Sequence, residues 1–219
     1  MLSRIKSGVR QFARASLAAT LPRRWYIVRG PRRSRSICLT FDDGPHPEFT
    51  PMYLDLLAAN NVKATFFVIG EHAERHPEIV RRIVAEGHAI GNHTYSHPHR
   101  AMLSARQMAD DIRRGAQVIQ GICGIAPNLY RPPRGAFTLR DFVHLVSSGQ
   151  SVVLWNRDPK DYSRTSEQEV VAWFRANPVQ SGDVVLLHDA HRHSLTAVAE
   201  VIAAARQQGN DFCLVRNWT

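Results

Sequence analysis

The sequence of 219 residues is short of cysteine and has no long apolar run. Its three cysteines, Cys38, Cys123 and Cys213, form no C-x-x-C pair and cannot all be paired in disulfides, so we expect buried thiols and a reducing compartment. Because no run of about 18 apolar residues occurs, the sequence predicts no membrane-spanning helix. With 13 glycines, 12 prolines and 44% hydrophobic residues, collagen-like, low-complexity and wholly disordered chains are also excluded.

Acidic residues are absent from the first 36 residues, although the whole chain has 19. Ten of the 28 Lys and Arg residues lie in this segment, which leaves 18 cations against 19 acids, a net charge of −1, in the other 183 residues. The overall charge of +9 therefore belongs to an arm and not to a domain. A nucleic-acid-binding function that depended on a basic domain has no support.

The first part of this arm has an amphipathic pattern. Its apolar residues recur at spacings of three and four, and its cations fall mostly on other faces of a helix. The apolar residues are Leu2, Ile5, Val9 and Phe12. Such a helix would lie on an anionic membrane surface, whereas the alternative is a solvated tail, and the sequence leaves both open.

The cellular location is predicted from the same segment. A secretory signal is disfavoured, because residues 15–21 form only a short apolar run and Pro22-Arg23-Arg24 replaces a small-residue cleavage site. We therefore expect a cytoplasmic protein, in which residues 1–30 make any peripheral contact with the inner surface of a membrane.

From Ser36 onward, short β-branched runs alternate with segments of helical spacing. Seven strands and six helices in alternation predict βαβ units and a parallel sheet, and we divide the chain into an arm of residues 1–35 and one domain of residues 36–219. The predicted strands are 36–40, 64–68, 88–91, 129–131, 151–155, 184–187 and 212–215. The predicted helices are 51–60, 77–86, 104–122, 138–148, 166–177 and 194–208.

Two adjacent carboxylates, Asp42 and Asp43, follow the first predicted strand. Successive side chains of a strand point to opposite faces, but Gly44-Pro45 supplies a turn that lets both carboxylates face one site. Such a pair is costly near the end of a sheet unless a metal ion or an arginine compensates it. Taken alone, the motif is more typical of an ordinary turn.

Two histidines four residues apart, His93 and His97, follow the third predicted strand. On a helical turn this spacing places both imidazoles on one face, a common way of offering two nitrogen ligands to one metal ion. A third ligand would come from Asp42 or Asp43. Because the chain has 11 histidines, the spacing also arises by chance and is only suggestive by itself.

The later strands also end in polar groups. After the fourth strand, two prolines fix the backbone that follows Arg131, which holds its guanidinium in place and can aim a following N–H at one point. His188 ends the apolar sixth strand, where an imidazole is suited to acid–base chemistry but is more often part of a core. The fifth strand ends in Trp155, and the segment that follows it contains Asp161 and Tyr162.

These motifs occur in one order at the ends of five predicted strands, and in that order the sequence resembles the NodB-type polysaccharide deacetylases of carbohydrate esterase family 4. The matching segments are T-F-D-D-G-P at 40–45, H-T-Y-S-H at 93–97, R-P-P-R-G at 131–135, D-P-K-D-Y at 158–162 and L-L-H at 186–188. The resemblance covers about residues 36–215. It implies a distorted (β/α) barrel of about seven parallel strands.

The resemblance also implies a site for one divalent metal ion with Asp43, His93 and His97 as ligands. Zinc suits this donor set best, and cobalt or nickel is also compatible. Asp42 would be the general base for the attacking water, held ionised and oriented by Arg131.

On the same resemblance, His188 would protonate the departing amine, with Asp161 supporting its charged form. The ion and the backbone N–H of Arg134 would hold the developing oxyanion. Leu186 and Trp155 would shape the pocket for the acetyl methyl group.

Two positions depart from the commonest pattern of the family. Tyr162 stands where tryptophan is usual, and Arg134 stands where tyrosine is common. The oxyanion contact comes from the backbone, so the arginine need not abolish it, and its side chain is available for an anionic or polar group of the substrate. The departures leave the chemistry intact and the substrate open.

We therefore expect a metal-dependent hydrolase that removes the N-acetyl group from an N-acetylhexosamine unit of an oligo- or polysaccharide, similar to the chitooligosaccharide deacetylases. Peptidoglycan and a lipid-linked sugar are the alternative substrates. A non-catalytic carbohydrate-binding relative is a further alternative, but no base, acid or ligand is missing from the motifs. The expected partner is a glycan and not a nucleic acid.

Overall fold

The computed structural model describes residues 17–18 and 20–218. Its strands are β1 (Tyr26–Ile27), β2 (Ser36–Asp42), β3 (Thr65–Val68), β4 (Ala89–Asn92), β5 (Leu129–Tyr130), β6 (Ser151–Val153), β7 (Val184–His188) and β8 (Asp211–Phe212). Its helices are α1 (Phe49–Ala59), α2 (Gly70–Arg75), α3 (Pro77–Ala85), α4 (Ala105–Cys123), α5 (Leu139–Ser147), α6 (Glu167–Ala176) and α7 (Leu195–Gln207). The amphipathic segment Leu2–Phe12 lies outside the described residues.

The strands form one curled, parallel sheet in the order β1-β6-β5-β4-β3-β2-β7, and β8 pairs with β2 beside this path. Among the described strands, β1 and β7 stand at the two ends of this order. Close to these two strands, the N–H of Gly30 donates to the carbonyl of Gly182 at 2.8 Å. All seven predicted strands are present at or close to their expected positions. The prediction of a distorted (β/α) barrel with about seven parallel strands is therefore confirmed.

Helices cover the sheet, as the alternation of the sequence predicts. Six of the seven residues of β2 and all five of β7 are buried, which is typical of parallel strands covered on both faces. The largest cluster of buried side chains packs β2, β3 and β7 against α1, α3 and α7, and a second one packs β1, β5 and β6 against α4 and α5.

Local capping signals fix several helix ends. A complete capping box of Ser104 and Gln107 begins α4. At the start of α6, Ser166 accepts from the N–H of Glu169, but the Glu169 carboxylate accepts from the N–H of Thr165 and not from that of Ser166. This second capping box is therefore only half formed.

The structure differs from the sequence analysis at three short elements. Residues 26–27, on the arm side of the division at residue 36, form β1, which pairs with β6 and is fully buried. The six-residue helix α2 was not predicted, and β8 covers residues 211–212 instead of 212–215. Two-residue strands and a helix of less than two turns carry too little periodicity to be recognised in a sequence.

Because all strands are parallel, their ends define two opposite edges. We call the side where the strands begin the amino edge and the side where they end the carboxyl edge. Asp42 ends β2, His93 directly follows β4, Arg131 follows β5 and His188 ends β7. The predicted catalytic residues therefore share the carboxyl edge, where α/β proteins build their sites.

Candidate active site

Three potential metal ligands converge at the carboxyl edge. The Oδ1 atom of Asp43 lies 3.3 Å from Nε2 of His93 and 3.4 Å from Nε2 of His97. Ligand atoms of the three residues all lie within 4.8 Å of one another, and this is the one such group found among the described residues. A carboxylate and two imidazoles are donors of the kind that a catalytic zinc site uses.

The surroundings of these donors fit a divalent cation. Nδ1–H of the buried His93 donates to the carbonyl of Arg131 at 2.7 Å, so its Nε2 lone pair faces Asp43. Oδ1 of Asp43 is buried and accepts no hydrogen bond from the described residues. Burial lowers the pKa of His97 to about 4, which keeps its imidazole neutral and able to bind a metal.

The backbone at this cluster adopts uncommon conformations. Asp43 has a φ of 72° and His97 a φ of 51°, both in the left-handed region, where side chains other than glycine are rare. Thr94, which lies between the two histidines, has a φ of 70°. Such residues persist only where the surrounding structure imposes them, and they concentrate at functional sites.

Asp42 lies beside the ligand cluster and is held by a buried arginine. Nη1 of Arg131 donates to Oδ1 of Asp42 at 2.7 Å and to Oγ1 of Thr40 at 2.7 Å. The other guanidinium nitrogens donate to the carbonyls of Val153 and Leu154. The other carboxylate oxygen of Asp42 lies 3.8 Å from Nε2 of His93, so the fixed carboxylate faces the space beside the ligands.

His188, the register partner of Asp42 on the neighbouring strand, also lies beside the cluster and is held by a buried carboxylate. Its Nδ1 bonds Oδ1 of Asp161 at 2.7 Å, and Asp161 also accepts from the His188 backbone N–H and from the Ser194 hydroxyl. Nε2 of His188 lies 3.9 Å from Oδ2 of Asp43. Burial opposes the charged imidazole, but the bond and the charge of Asp161 raise the pKa of His188 to about 9.

The structure thus brings together three potential metal ligands, a carboxylate held by an arginine and an imidazole whose pKa is raised, all within the segments that carry the sequence motifs. Residues 29–147 match the family model described as polysaccharide deacetylase. The chain belongs to this family.

Named relatives and solved structures agree with this membership. The chain is 36% identical over 191 residues to a peptidoglycan-N-acetylglucosamine deacetylase of Bacillus cereus, covering 85% of this chain and 69% of that protein. It is 39% identical over 164 residues to a chitooligosaccharide deacetylase of Sinorhizobium fredii, covering 74% and 76% of the two chains. A crystal structure of a peptidoglycan N-acetylglucosamine deacetylase superimposes with a TM-score of 0.84 at 34% identity, covering 88% of this chain and 92% of that one. The resemblance stated from the motifs is confirmed.

The four residues expected to line the substrate site of this deacetylase surround the same cluster. Leu186 is buried on β7, two residues before His188 and on the same face of the strand. Trp155 follows β6, and its ring lies 5.6 Å from the Arg131 guanidinium carbon. Tyr162 is half exposed, with its ring 5.2 Å from that of His188 and nearly perpendicular to it. Arg134 is exposed, and its charge acts on His97.

The sequence analysis missed the residues that hold the Asp43 turn of the deacetylase. A Cβ atom on Gly44 would lie 2.2 Å from the carboxylate of Asp189, so only glycine fits at this position. Asp189 is buried and accepts from the hydroxyl of Thr50, and burial raises its pKa to about 7. His72 bonds the carbonyl of Asp43 at 2.8 Å. Only the position of Asp189 directly after His188 gave any signal in the sequence.

Proposed function

We propose that this deacetylase is a metal-dependent enzyme that hydrolyses the acetamide of an N-acetylhexosamine unit in a glycan. The observation that carries the proposal is the convergence of the triad Asp43, His93 and His97 with two proton-transfer groups, Asp42 and His188. Zinc is the ion that we propose, because the donor set is two imidazoles and one carboxylate, and cobalt or nickel fits the same donors.

Asp42 acts as the general base for the attacking water. Its carboxylate is fixed by Arg131, which is itself held by two backbone carbonyls and Thr40, so the accepting oxygen keeps one position. When bound, the ion supplies Lewis-acid stabilisation of the negative charge that develops on the carbonyl oxygen. The backbone N–H of Arg134 is the second donor that we propose for this oxygen.

His188 acts as the general acid for the departing amine. With a pKa of about 9, the imidazole carries its proton at neutral pH, and Nδ1 is engaged by Asp161 so that Nε2–H faces the cluster. Leu186 and Trp155 are the apolar groups that we propose for the pocket of the acetyl methyl group. Base and acid therefore both adjoin the ligand triad.

The proposed substrate is a chitooligosaccharide-like glycan. The relatives named as chitooligosaccharide deacetylases and those named as peptidoglycan deacetylases are similarly close in sequence, so peptidoglycan is the second candidate. Arg134, exposed at the rim, is available for an anionic or polar group of either glycan. A lipid-linked sugar is the remaining alternative.

A substrate panel tests this proposal. Purified enzyme loaded with zinc is incubated with N-acetylglucosamine oligomers, peptidoglycan fragments and lipid-linked N-acetylhexosamines, and acetyl loss is followed by mass spectrometry. We expect acetyl loss from the soluble oligomers first. Exclusive action on muramyl-containing fragments would move the assignment to peptidoglycan, and no acetyl loss from any member would reject the deacetylase activity.

The pH dependence of turnover should report the proton on His188. Activity requires the protonated imidazole, so it is expected to fall as pH rises through about 9. In Asp161→Asn the largest influence that raises the pKa of His188 is lost while burial continues to lower it, so the alkaline limb should move to lower pH.

Ser194→Ala is the matched control for this shift. It removes a hydrogen bond to the same Asp161 carboxylate but keeps the charge. Its alkaline limb should stay close to that of the unmodified enzyme. An unmoved limb in Asp161→Asn would show that His188 is not the group that titrates.

A further inference from the structure

Five exposed arginines of the described residues lie at the amino edge, directly before β1 and β2 and opposite the predicted catalytic residues. They are Arg23, Arg24, Arg32, Arg33 and Arg35. Within residues 20–218, none of the five forms an ion pair with a carboxylate. Their charge is therefore available to a partner.

Backbone contacts fix both groups of arginines at this edge. The hydroxyl of Ser151, the first residue of β6, donates to the carbonyl of Arg24 at 2.6 Å. The N–H of Asp211, the first residue of β8, donates to the carbonyl of Arg35 at 2.8 Å. The arginines directly precede β1 and β2, and the beginnings of parallel strands lie on one side of the sheet.

Acidic groups near these arginines are few and engaged. Asp183 is fully buried and forms ion pairs with Arg29 at 3.2 Å and with Arg157 at 2.6 Å. Asp211 is exposed, and its carboxylate accepts from the N–H of Phe212. In the segments at the starts of β1, β2 and β8, the amino edge thus has five arginines without an ion pair among the described residues and one exposed carboxylate, that of Asp211.

We propose that the amino edge docks on an anionic lipid bilayer. Charge complementarity selects an anionic partner, and the apolar groups beside the arginines select a lipid over a nucleic acid. Leu17 is 37% exposed, and Trp25 is partly exposed with the Arg24 guanidinium 4.9 Å from its ring. An amphipathic tryptophan beside cations is typical of a membrane interface. The apolar and basic residues 1–16 precede this surface directly in the sequence.

Docking at this edge orients the catalytic centre away from the lipid. Ser36 and Asp42 are the first and last residues of β2, which at about 3.3 Å per residue separates them by roughly 20 Å. This step rests on the proposed function. The orientation favours a glycan in the aqueous phase as the substrate. It disfavours a lipid-linked sugar whose amide lies close to the head groups.

The test compares two double charge reversals in the full chain. Arg32→Glu with Arg33→Glu alters the amino edge, and Arg106→Glu with Arg140→Glu changes the net charge equally at the first turns of α4 and α5. Binding to vesicles of phosphatidylcholine with phosphatidylglycerol is measured by flotation at 0.1 M salt. We expect the amino-edge double to bind roughly 30-fold more weakly than the unmodified protein, and the control double to lose much less.

Further measurements test other partners and separate the lipid-docking proposal from the proposed enzymatic function. If both double variants lost vesicle binding equally, the attraction would depend on net charge alone. If neither lost binding, the lipid contact would lie in residues 1–16. Either result would overturn the proposal that the amino edge is the docking surface. Tighter binding to duplex DNA than to vesicles, lost in the amino-edge double, would assign the surface to a nucleic acid. Vesicle binding is measured without substrate, so inactivity toward glycans leaves the result intact, whereas docked active enzyme should retain its turnover of a soluble oligosaccharide.

Discussion

Asp42→Asn is expected to lower turnover by about 10²–10⁴-fold while the bound ion stays in place. The substitution keeps the shape of the side chain and its contact with Arg131, but an amide cannot accept the proton of the attacking water. The change should appear in kcat, since no ligand of the ion is altered. Turnover and metal content, measured on the same preparation, check the prediction.

Asp43→Asn is the variant with which the turnover and metal content of Asp42→Asn are compared. Asp43 contributes the donor that lies 3.3 and 3.4 Å from the two imidazoles, so its replacement should weaken metal binding as well as turnover. If Asp42→Asn emptied the site and Asp43→Asn kept the ion, the roles of the two carboxylates would be exchanged.

His97→Ala is expected to remove both the ion and the activity without unfolding the domain. His97 is only partly buried, and the core under the sheet is formed by other side chains. His93→Ala should have the same effect on the ion, but it also removes a contact to the backbone of Arg131. Metal content, turnover and the melting temperature are measured together.

His99→Ala is the matched control, because this exposed histidine lies two residues beyond His97 and outside the ligand cluster. It should keep the ion and full turnover. Full turnover in a His97→Ala protein shown to be free of metal would contradict the metal dependence. A large loss of melting temperature would instead identify His97 as a structural residue.

The convergence of the candidate site residues was predictable from the sequence because its motifs stand at strand ends. Asp42, Asp43, His93, Arg131 and His188 were placed by parallel strands that share one carboxyl edge, and their proximity follows from topology. Each of the helices α1 and α3–α7 was predicted to within two residues at its ends, since amphipathic periodicity and caps such as Ser104 are local signals.

The features that the sequence did not predict depend on contacts between segments that are distant in the chain. Thr50 and Asp189 are 139 residues apart in the sequence, and no local pattern in either segment predicts that they form a hydrogen bond beside Gly44. The strand β1 was missed because its two residues become a strand only by pairing with β6. A truncation that tests the arm must therefore spare residues 22–30, which a deletion of residues 1–30 would remove.

The location of the protein stays a prediction. Cys38 is buried as expected, whereas Cys123 and Cys213 are only partly buried, and the sulfur atoms of Cys38 and Cys213 lie 3.5 Å apart. None of the helices among the described residues has the length and hydropathy to cross a bilayer. The cytoplasmic location and the membrane contact of the arm rest on the sequence alone.

Titration of metal-free enzyme with zinc tests the central claim most directly. Acetate release from a soluble N-acetylglucosamine oligomer is followed as the ion is added to chelator-treated, dialysed protein. The account predicts no turnover without metal, and a rise that ends at one ion per chain. Turnover at the full rate in protein shown to contain no metal would contradict it.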